Sequence, residues 1–254
     1  MIETIKSIVK EAGTIMLNAH NIQEGIENKQ GRANFVTKYD VEVQEFLYKK
    51  LSELCPSAVF IGEEDERKQS ISGEYCFIID PIDGTTNFIF DYRHSAISVG
   101  LLYQGQIVAG VVYNPYMDEL FFAEKGKGAF LNSKKLMVKN FNINDGMVSI
   151  GTCPYNREKA DEIFRISRML YDKALDIRRT GSAALDICYV AANRFVLYFE
   201  LILQPWDYAA ASLILREAGG CISTMDGLEL PYTDSCPVVA ATPEAYDEFF
   251  SLNR

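Results

Sequence analysis

Residues 95–131 set the tightest limit on what this chain can become. Apolar and β-branched residues run through them in short alternating stretches, interrupted by Gln104-Gly105-Gln106, Asn114-Pro115 and Gly126-Lys127-Gly128. Period-two patterning broken by turn-forming residues predicts an antiparallel meander, with Gly126-Lys127-Gly128 as a hairpin turn. Helical periodicity flanks this region. Ile2, Ile5, Ile8, Val9, Ala12, Ile15 and Met16 share one face of a first helix, and Val43, Phe46, Leu47, Leu51 and Leu54 share one face of a second, over about 40–54. The apolar run 75–79 reads as a buried strand ending at Asp80. Further on, the pattern predicts helices at about 157–173 and 182–192, a strand at 194–201, and a helix at 206–218 stopped by Gly219-Gly220. Short strands near Cys221 and Val238 and a helix after Pro243 complete the chain. Helices mixed with sheets of both kinds imply a layered α/β or α+β architecture. The 254 residues suffice for a single domain, 1–254, or two closely packed halves of about 1–140 and 141–254, though composition does not change near residue 140.

Much chemistry is excluded by absence. The formal net charge is −10, and Lys134-Lys135 and Arg178-Arg179 are too short to form a basic face, so no nucleic-acid partner is expected. The six cysteines never stand as CxxC, which argues against zinc and fits reduced thiols in a cytoplasmic protein. The N-terminal segment is an amphipathic helix rather than a signal peptide, and no apolar run approaches about 18 residues, so no membrane span is expected. With only His20 and His94, and no GxSxG, a Ser-His-Asp triad has no basis. No GxxxxGK[ST] loop is present, and Gly126-Lys127-Gly128 is a lone GxG. Cys153 has Lys159, not arginine, six residues on, so it reads as structural. Asp80 and Asp83 are three residues apart, where a haloacid-dehalogenase-type phosphatase has a spacing of two.

What remains is a set of carboxylates. In Asp80-Pro81-Ile82-Asp83-Gly84-Thr85-Thr86-Asn87-Phe88, a strand delivers Asp80, Pro81 stiffens the exit, and Gly84 lets the backbone turn. Two carboxylates and the Ile82 carbonyl can then face one hollow, a hard-oxygen donor set suited to Mg²⁺. A helix beginning near Thr85 would turn its free N–H groups to the same hollow. Taken alone, the DPxDG segment reads equally well as an Asx turn between strand and helix. Glu63-Glu64 follows another apolar strand end, while Asp65 and Glu66 read as surface charge. Pro205-Trp206-Asp207 opens a helix, where an acid is also favoured by the helix dipole alone.

In combination, Gly62-Glu63-Glu64, the 80–88 segment and Trp206-Asp207-Tyr208-Ala209-Ala210 resemble the signature set of the inositol monophosphatase family. GVVYNP, KGKGAF, RRTGSAA and REAGG resemble further family landmarks, so the likeness covers nearly the whole chain. It implies a layered αβαβα sandwich of the sugar-phosphatase type, a homodimer, lithium sensitivity, and two or three Mg²⁺ per site. It further implies that Glu63, Asp80 and the Ile82 carbonyl hold one ion, that Asp80, Asp83 and Asp207 hold another, and that Glu63 touches a weaker third. Thr85 and Asp40 resemble the pair that orients the attacking water, with Glu63 assisting. Gly84 and Thr85 would bind phosphate through backbone N–H groups. Asp83, Gly181, Ser182, Ala183, Glu200 and Asp207 would meet the hydroxyls of a small phosphorylated polyol or sugar, myo-inositol monophosphate foremost. Lys29 matches a lysine that stands near the site in relatives, or is a surface lysine. Asn34 replaces a frequent Asp, Arg93-His94 replaces a proline-containing stretch, and Gln204-Pro205 differs from the animal enzymes. Related phosphatases for fructose 1,6-bisphosphate, histidinol phosphate or adenosine 3′,5′-bisphosphate stay open, as does a non-catalytic regulatory protein of the same fold. Thr86-Asn87 argues against the nucleotide enzymes, which carry a lysine-containing variant of this stretch.

Overall fold

The computed structural model describes residues 1–23, 26–28, 35–65, 71 and 73–253. Lys29, Asn34 and Glu66 lie outside them. In chain order the first elements are α1 (Ile2–Leu17), β1 (Glu27–Asn28), β2 (Phe35–Val36), α2 (Lys38–Leu54), β3 (Val59–Gly62), β4 (Tyr75–Asp83) and α3 (Thr85–Ile89). Then come β5 (Ala96–Tyr103), β6 (Gln106–Asn114), β7 (Glu119–Glu124), β8 (Ala129–Leu131) and β9 (Lys134–Lys135). β3 to β9 form one seven-stranded sheet in sequence order, antiparallel throughout except for the parallel pair β3/β4. The predicted meander is thus its body. Gln104 and Gly105 both take positive φ, 49° and 76°, the two-residue turn whose twist suits a β5–β6 hairpin.

The second part contains β10 (Met147–Ile150), α4 (Ala160–Tyr171), β11 (Asp176–Arg178), α5 (Ala183–Ala191), β12 (Leu197–Leu203), α6 (Pro205–Glu217), β13 (Cys221–Thr224), β14 (Cys236–Ala241) and α7 (Pro243–Leu252). Its five strands pair in the order β11-β10-β12-β14-β13. The periodicity missed β10 and β11, which are too short to show alternation. It also began β12 three residues early: Arg194 lies in the connection after α5, pairs with Glu119 and stacks on Tyr189 at 4.4 Å. Residues 157–159 form a 3₁₀ turn before α4 rather than its first turn.

Burial stacks the layers. Ile5, Val9, Val43 and Leu47 of α1 and α2 pack on one face of the large sheet against Phe77, Ile79, Val99 and Val111. α5 and α6 pack between the two sheets, sharing one core with Ile78, Val112 and Phe121 on one side and Tyr198, Val238 and Ala240 on the other. Ile163, Ile166 and Leu170 of α4 and Phe249 of α7 cover the far face of the small sheet. The result is an αβαβα sandwich, as the resemblance implied, and its central core runs across residue 140. α6 lies so close to the large sheet that a Cβ at Gly110 would come within 2.4 Å of the Ala210 carbonyl oxygen. That approach brings the start of α6 beside the end of β4.

Candidate active site

β4 does not end cleanly at Asp80. Its register with β5 runs Asp80 opposite Ser98 and then Asp83 opposite Ala96, so one extra residue bulges out of the ladder. Asp80 Oδ1 accepts the Ile82 N–H at 3.0 Å, so the Asx turn is formed and coexists with the clustering of acids. Gly84 follows at φ 90°, and a Cβ there would meet the Gly181 carbonyl oxygen at 3.0 Å and that of His94 at 3.2 Å. α3 starts at Thr85, as the sequence suggests.

Asp207 has two duties. As the third residue of α6 it accepts the Gln204 N–H at 2.7 Å, completing a capping box. A carboxylate oxygen of Asp207 also lies within 4.8 Å of oxygens from Asp80 and Asp83, the three atoms being mutually that close. Glu63, at the end of β3, lines the same hollow with Asp80, Ile82, Asp83, Gly84, Thr85, Tyr155, Gln204, Trp206 and Asp207. All the acids proposed as metal ligands therefore converge. Burial, then Glu63, Asp83 and Asp207, push the Asp80 carboxyl well above the ordinary carboxylate range. Asp207 is raised likewise, by burial and then by Asp83 and Glu63.

Asp83 is raised by burial to about 7 despite three donors: Ser182 Oγ at 2.5 Å and Ala184 N at 2.8 Å on Oδ2, and Ala183 N at 3.2 Å on Oδ1. A carboxylate offers about four lone-pair positions, so roughly one remains for a further ligand. Ser182 and Ala183, predicted to meet substrate, line the cleft but give the Ser182 hydroxyl and the Ala183 N–H to Asp83.

Asp40 lies in the first turn of α2, where Thr37 N and Thr37 Oγ1 donate to Oδ2 at 2.8 and 2.6 Å. Thr85 Oγ1 is 3.1 Å from both Asp40 Oδ1 and the Ile82 carbonyl oxygen. Burial raises Asp40 to about 6.

A second hollow opens from the first. It is lined by Asp83, Gly84, Thr85, Gly151, Pro154, Tyr155, Arg179, Gly181, Ser182, Ala183, Asp186, Tyr198, Glu200 and Asp207, among others. Glu200 is buried within β12, with Oε2 accepting Tyr198 Oη at 2.7 Å and Oε1 accepting Cys153 N at 2.8 Å. Tyr155, Arg179 and Asp186 escaped the sequence reading. Arg179 and Asp186 fall in or beside the RRTGSAA landmark, yet nothing local shows them facing a cleft. Asp65 needs correction: it is half-buried and accepts from Gln44 Nε2 at 3.1 Å and from the Tyr48 hydroxyl, because the chain after β3 folds back onto α2. Arg93 pairs with Asp91 on the surface at 3.2 Å. His94 packs its ring on Tyr189 at 5.6 Å, and burial lowers its pKa to about 4. Cys153 is buried, which pushes its thiol up to about 12.

The model of the inositol monophosphatase family matches residues 1–252. The chain belongs to that family. Membership of that family supports a phosphatase of the hydrolase class. Its relatives carry two kinds of name. The Nus factor SuhB of Vibrio cholerae is 36% identical over 240 residues, covering 94% of this chain and 90% of the relative. The inositol-1-monophosphatase of Rhizobium meliloti is 38% identical over 223 residues, covering 87% and 81%. Among solved structures, extragenic suppressor protein suhB from Bartonella henselae superposes with a TM-score of 0.91 at 32% identity, covering 98% of this chain and 96% of that one.

Proposed function

We propose that this inositol monophosphatase family member is a Mg²⁺-dependent phosphomonoesterase for small polyol or sugar phosphates, with myo-inositol monophosphate first among them. One observation carries the reading: oxygens of Asp80, Asp83 and Asp207 crowd within 4.8 Å of one another. Among the described residues, no lysine or arginine lines the hollow they share with Glu63. Such a cluster stays ionised at neutral pH only beside cations. The donors are hard oxygens, carboxylates and a carbonyl, which fit Mg²⁺. Glu63, Asp80 and the Ile82 carbonyl would hold one ion, and Asp80, Asp83 and Asp207 another, with Glu63 reaching a third.

When bound, Mg²⁺ supplies Lewis acidity for the attacking water and neutralises charge on the phosphoryl and leaving oxygens. The protein supplies positioning. Thr85 has one hydroxyl hydrogen, shared between Asp40 and the Ile82 carbonyl, so its oxygen is left as an acceptor that aims a water. Asp40 is held for this by Thr37. Glu63 faces the same point and accepts a proton as the water attacks. Gly84 and Thr85 present backbone N–H groups to the phosphate, and no covalent enzyme intermediate is needed. The alcohol leaves toward Glu200, Gly181 and Asp207. The reading includes a homodimer, lithium sensitivity and a cytoplasmic setting; the free state of all six cysteines supports the last. Among the described residues no helix is long and apolar enough to cross a membrane.

The relatives named Nus factors favour a second reading, a regulatory binding protein. The complete set of acids supports the enzyme. Phosphate release from a panel of inositol, glycerol, sugar and nucleotide phosphates, with Mg²⁺ and with chelator, tests it. Release from polyol phosphates only with Mg²⁺ is expected; no release from any of them would leave the regulatory reading.

A further inference from the structure

One face of α2 reaches toward the site at successive turns. Asp40, Gln44 and Tyr48 stand at i, i+4 and i+8, so they lie above one another on the helix. Asp40 meets Thr85. Gln44 and Tyr48 line neither hollow. They reach instead the residues on either side of Glu63, at the end of β3.

Gln44 is buried and uses both of its polar atoms there. Its Oε1 accepts Glu64 N at 3.0 Å, and its Nε2 donates to Asp65 Oδ1 at 3.1 Å. The Tyr48 hydroxyl donates to the other Asp65 oxygen, while its ring packs on Phe60 of β3 at 4.7 Å between centroids. Within the same segment Glu63 N donates to the Ile79 carbonyl at 3.2 Å, and Asp65 N to that of Gly62 at 3.4 Å. The fit is close: a Cβ at Gly62 would come within 2.4 Å of both Gln44 Oε1 and Tyr48 Oη. The backbone is therefore held before and after Glu63. An ion needs its donors at fixed distances, and ordering a loose backbone at the moment of binding costs affinity.

We propose that Gln44 and Tyr48 are positioning residues for Glu63, holding the backbone that presents it, so that Mg²⁺ affinity depends on two side chains that do not line the site. This rests on the reading of Glu63 as a metal ligand and adds the device that aims it. The test is calorimetric Mg²⁺ affinity without substrate, in a double-mutant cycle. Gln44→Leu should weaken Mg²⁺ about tenfold or more in the otherwise wild-type chain, and Tyr48→Phe, which keeps the ring on Phe60, somewhat less. In a Glu63→Gln background each should change affinity by less than about threefold, because the ligand they aim is already gone. A merely structural role would lower the melting temperature alike in both backgrounds and show no such coupling. A folded Gln44→Leu with wild-type affinity, or an equal loss with and without Glu63, overturns the proposal. If Gln44→Leu does not fold, the same cycle with Tyr48→Phe decides it. A Glu63→Gln variant that binds Mg²⁺ as the wild type does, or a wild type that binds none, overturns the ligand reading itself, and this inference with it.

Discussion

Ser182 Oγ donates to Asp83 Oδ2 at 2.5 Å across 99 positions of sequence. The bond ties the end of β4, in the large sheet, to the start of α5, in the layer between the sheets. Ser182 is also the N-cap of α5, accepting from Leu185 N at 3.4 Å. One hydroxyl thus orients a proposed metal ligand and begins a helix.

Ser182→Ala removes a charge-assisted bond to a buried carboxylate and a cap together. A loss of about 2–3 kcal/mol in stability is expected, read from chemical denaturation. Mg²⁺ affinity by calorimetry should weaken in the same variant, because Asp83 loses the donor that holds its rotamer. A variant with wild-type stability and affinity would show that the bond is incidental.

Asp80→Asn keeps the shape of the side chain and removes its charge. Activity on polyol phosphates should fall about a hundredfold or more. The chelated protein should melt at a higher temperature than the chelated wild type, since the cost of burying that carboxyl, as a charge or by taking up a proton, is gone. Substantial turnover with Mg²⁺ would contradict the assignment.

The raised carboxylates make the metal-free protein sensitive to pH. Asp83 titrates near about 7 and Asp40 near about 6, both above the ordinary value of 3.8, mainly through burial. Below 3.8 both folded and unfolded chains hold these protons, so nothing is lost. Between there and about 7 the unfolded chain releases them first, the folded state binds more protons, and stability falls as pH rises. Melting in chelator should therefore be lower at about pH 7.5 than at about pH 5 on account of this cluster. Mg²⁺ should raise the midpoint more at the higher pH, because it binds the deprotonated acids. An equal increment at both values would separate the cation from these carboxylates.

Thr85→Val deletes the hydroxyl that bridges Asp40 and the Ile82 carbonyl. A fall in kcat of about a hundredfold with little change in KM is expected, and Thr85→Ser should recover most of the loss. If serine is as poor as valine, the hydroxyl is not what positions the water.

The sequence by itself determined the local parts of this protein. Turn chemistry at Gln104-Gly105 and the alternation around it defined the meander, and the acids on either side of Pro81-Ile82 were legible because a strand, a proline and a glycine shape that corner through neighbours in the chain. The αβαβα layering and the family were also within reach, because signature segments retain their order. Only the tertiary structure decided what converges. Asp207 caps α6 wherever α6 lies; it reaches Asp80 and Asp83 because α6 packs against Gly110, a contact between residues far apart in the chain. Arg179, Tyr155 and Asp186 carry no local mark of facing a cleft, and Asp65 reads as surface charge until β3 returns to α2. Periodicity reports which side of an element is apolar, a property of near neighbours. Which polar side chains meet across a cleft depends on packing between elements, and that information is distributed over the whole core.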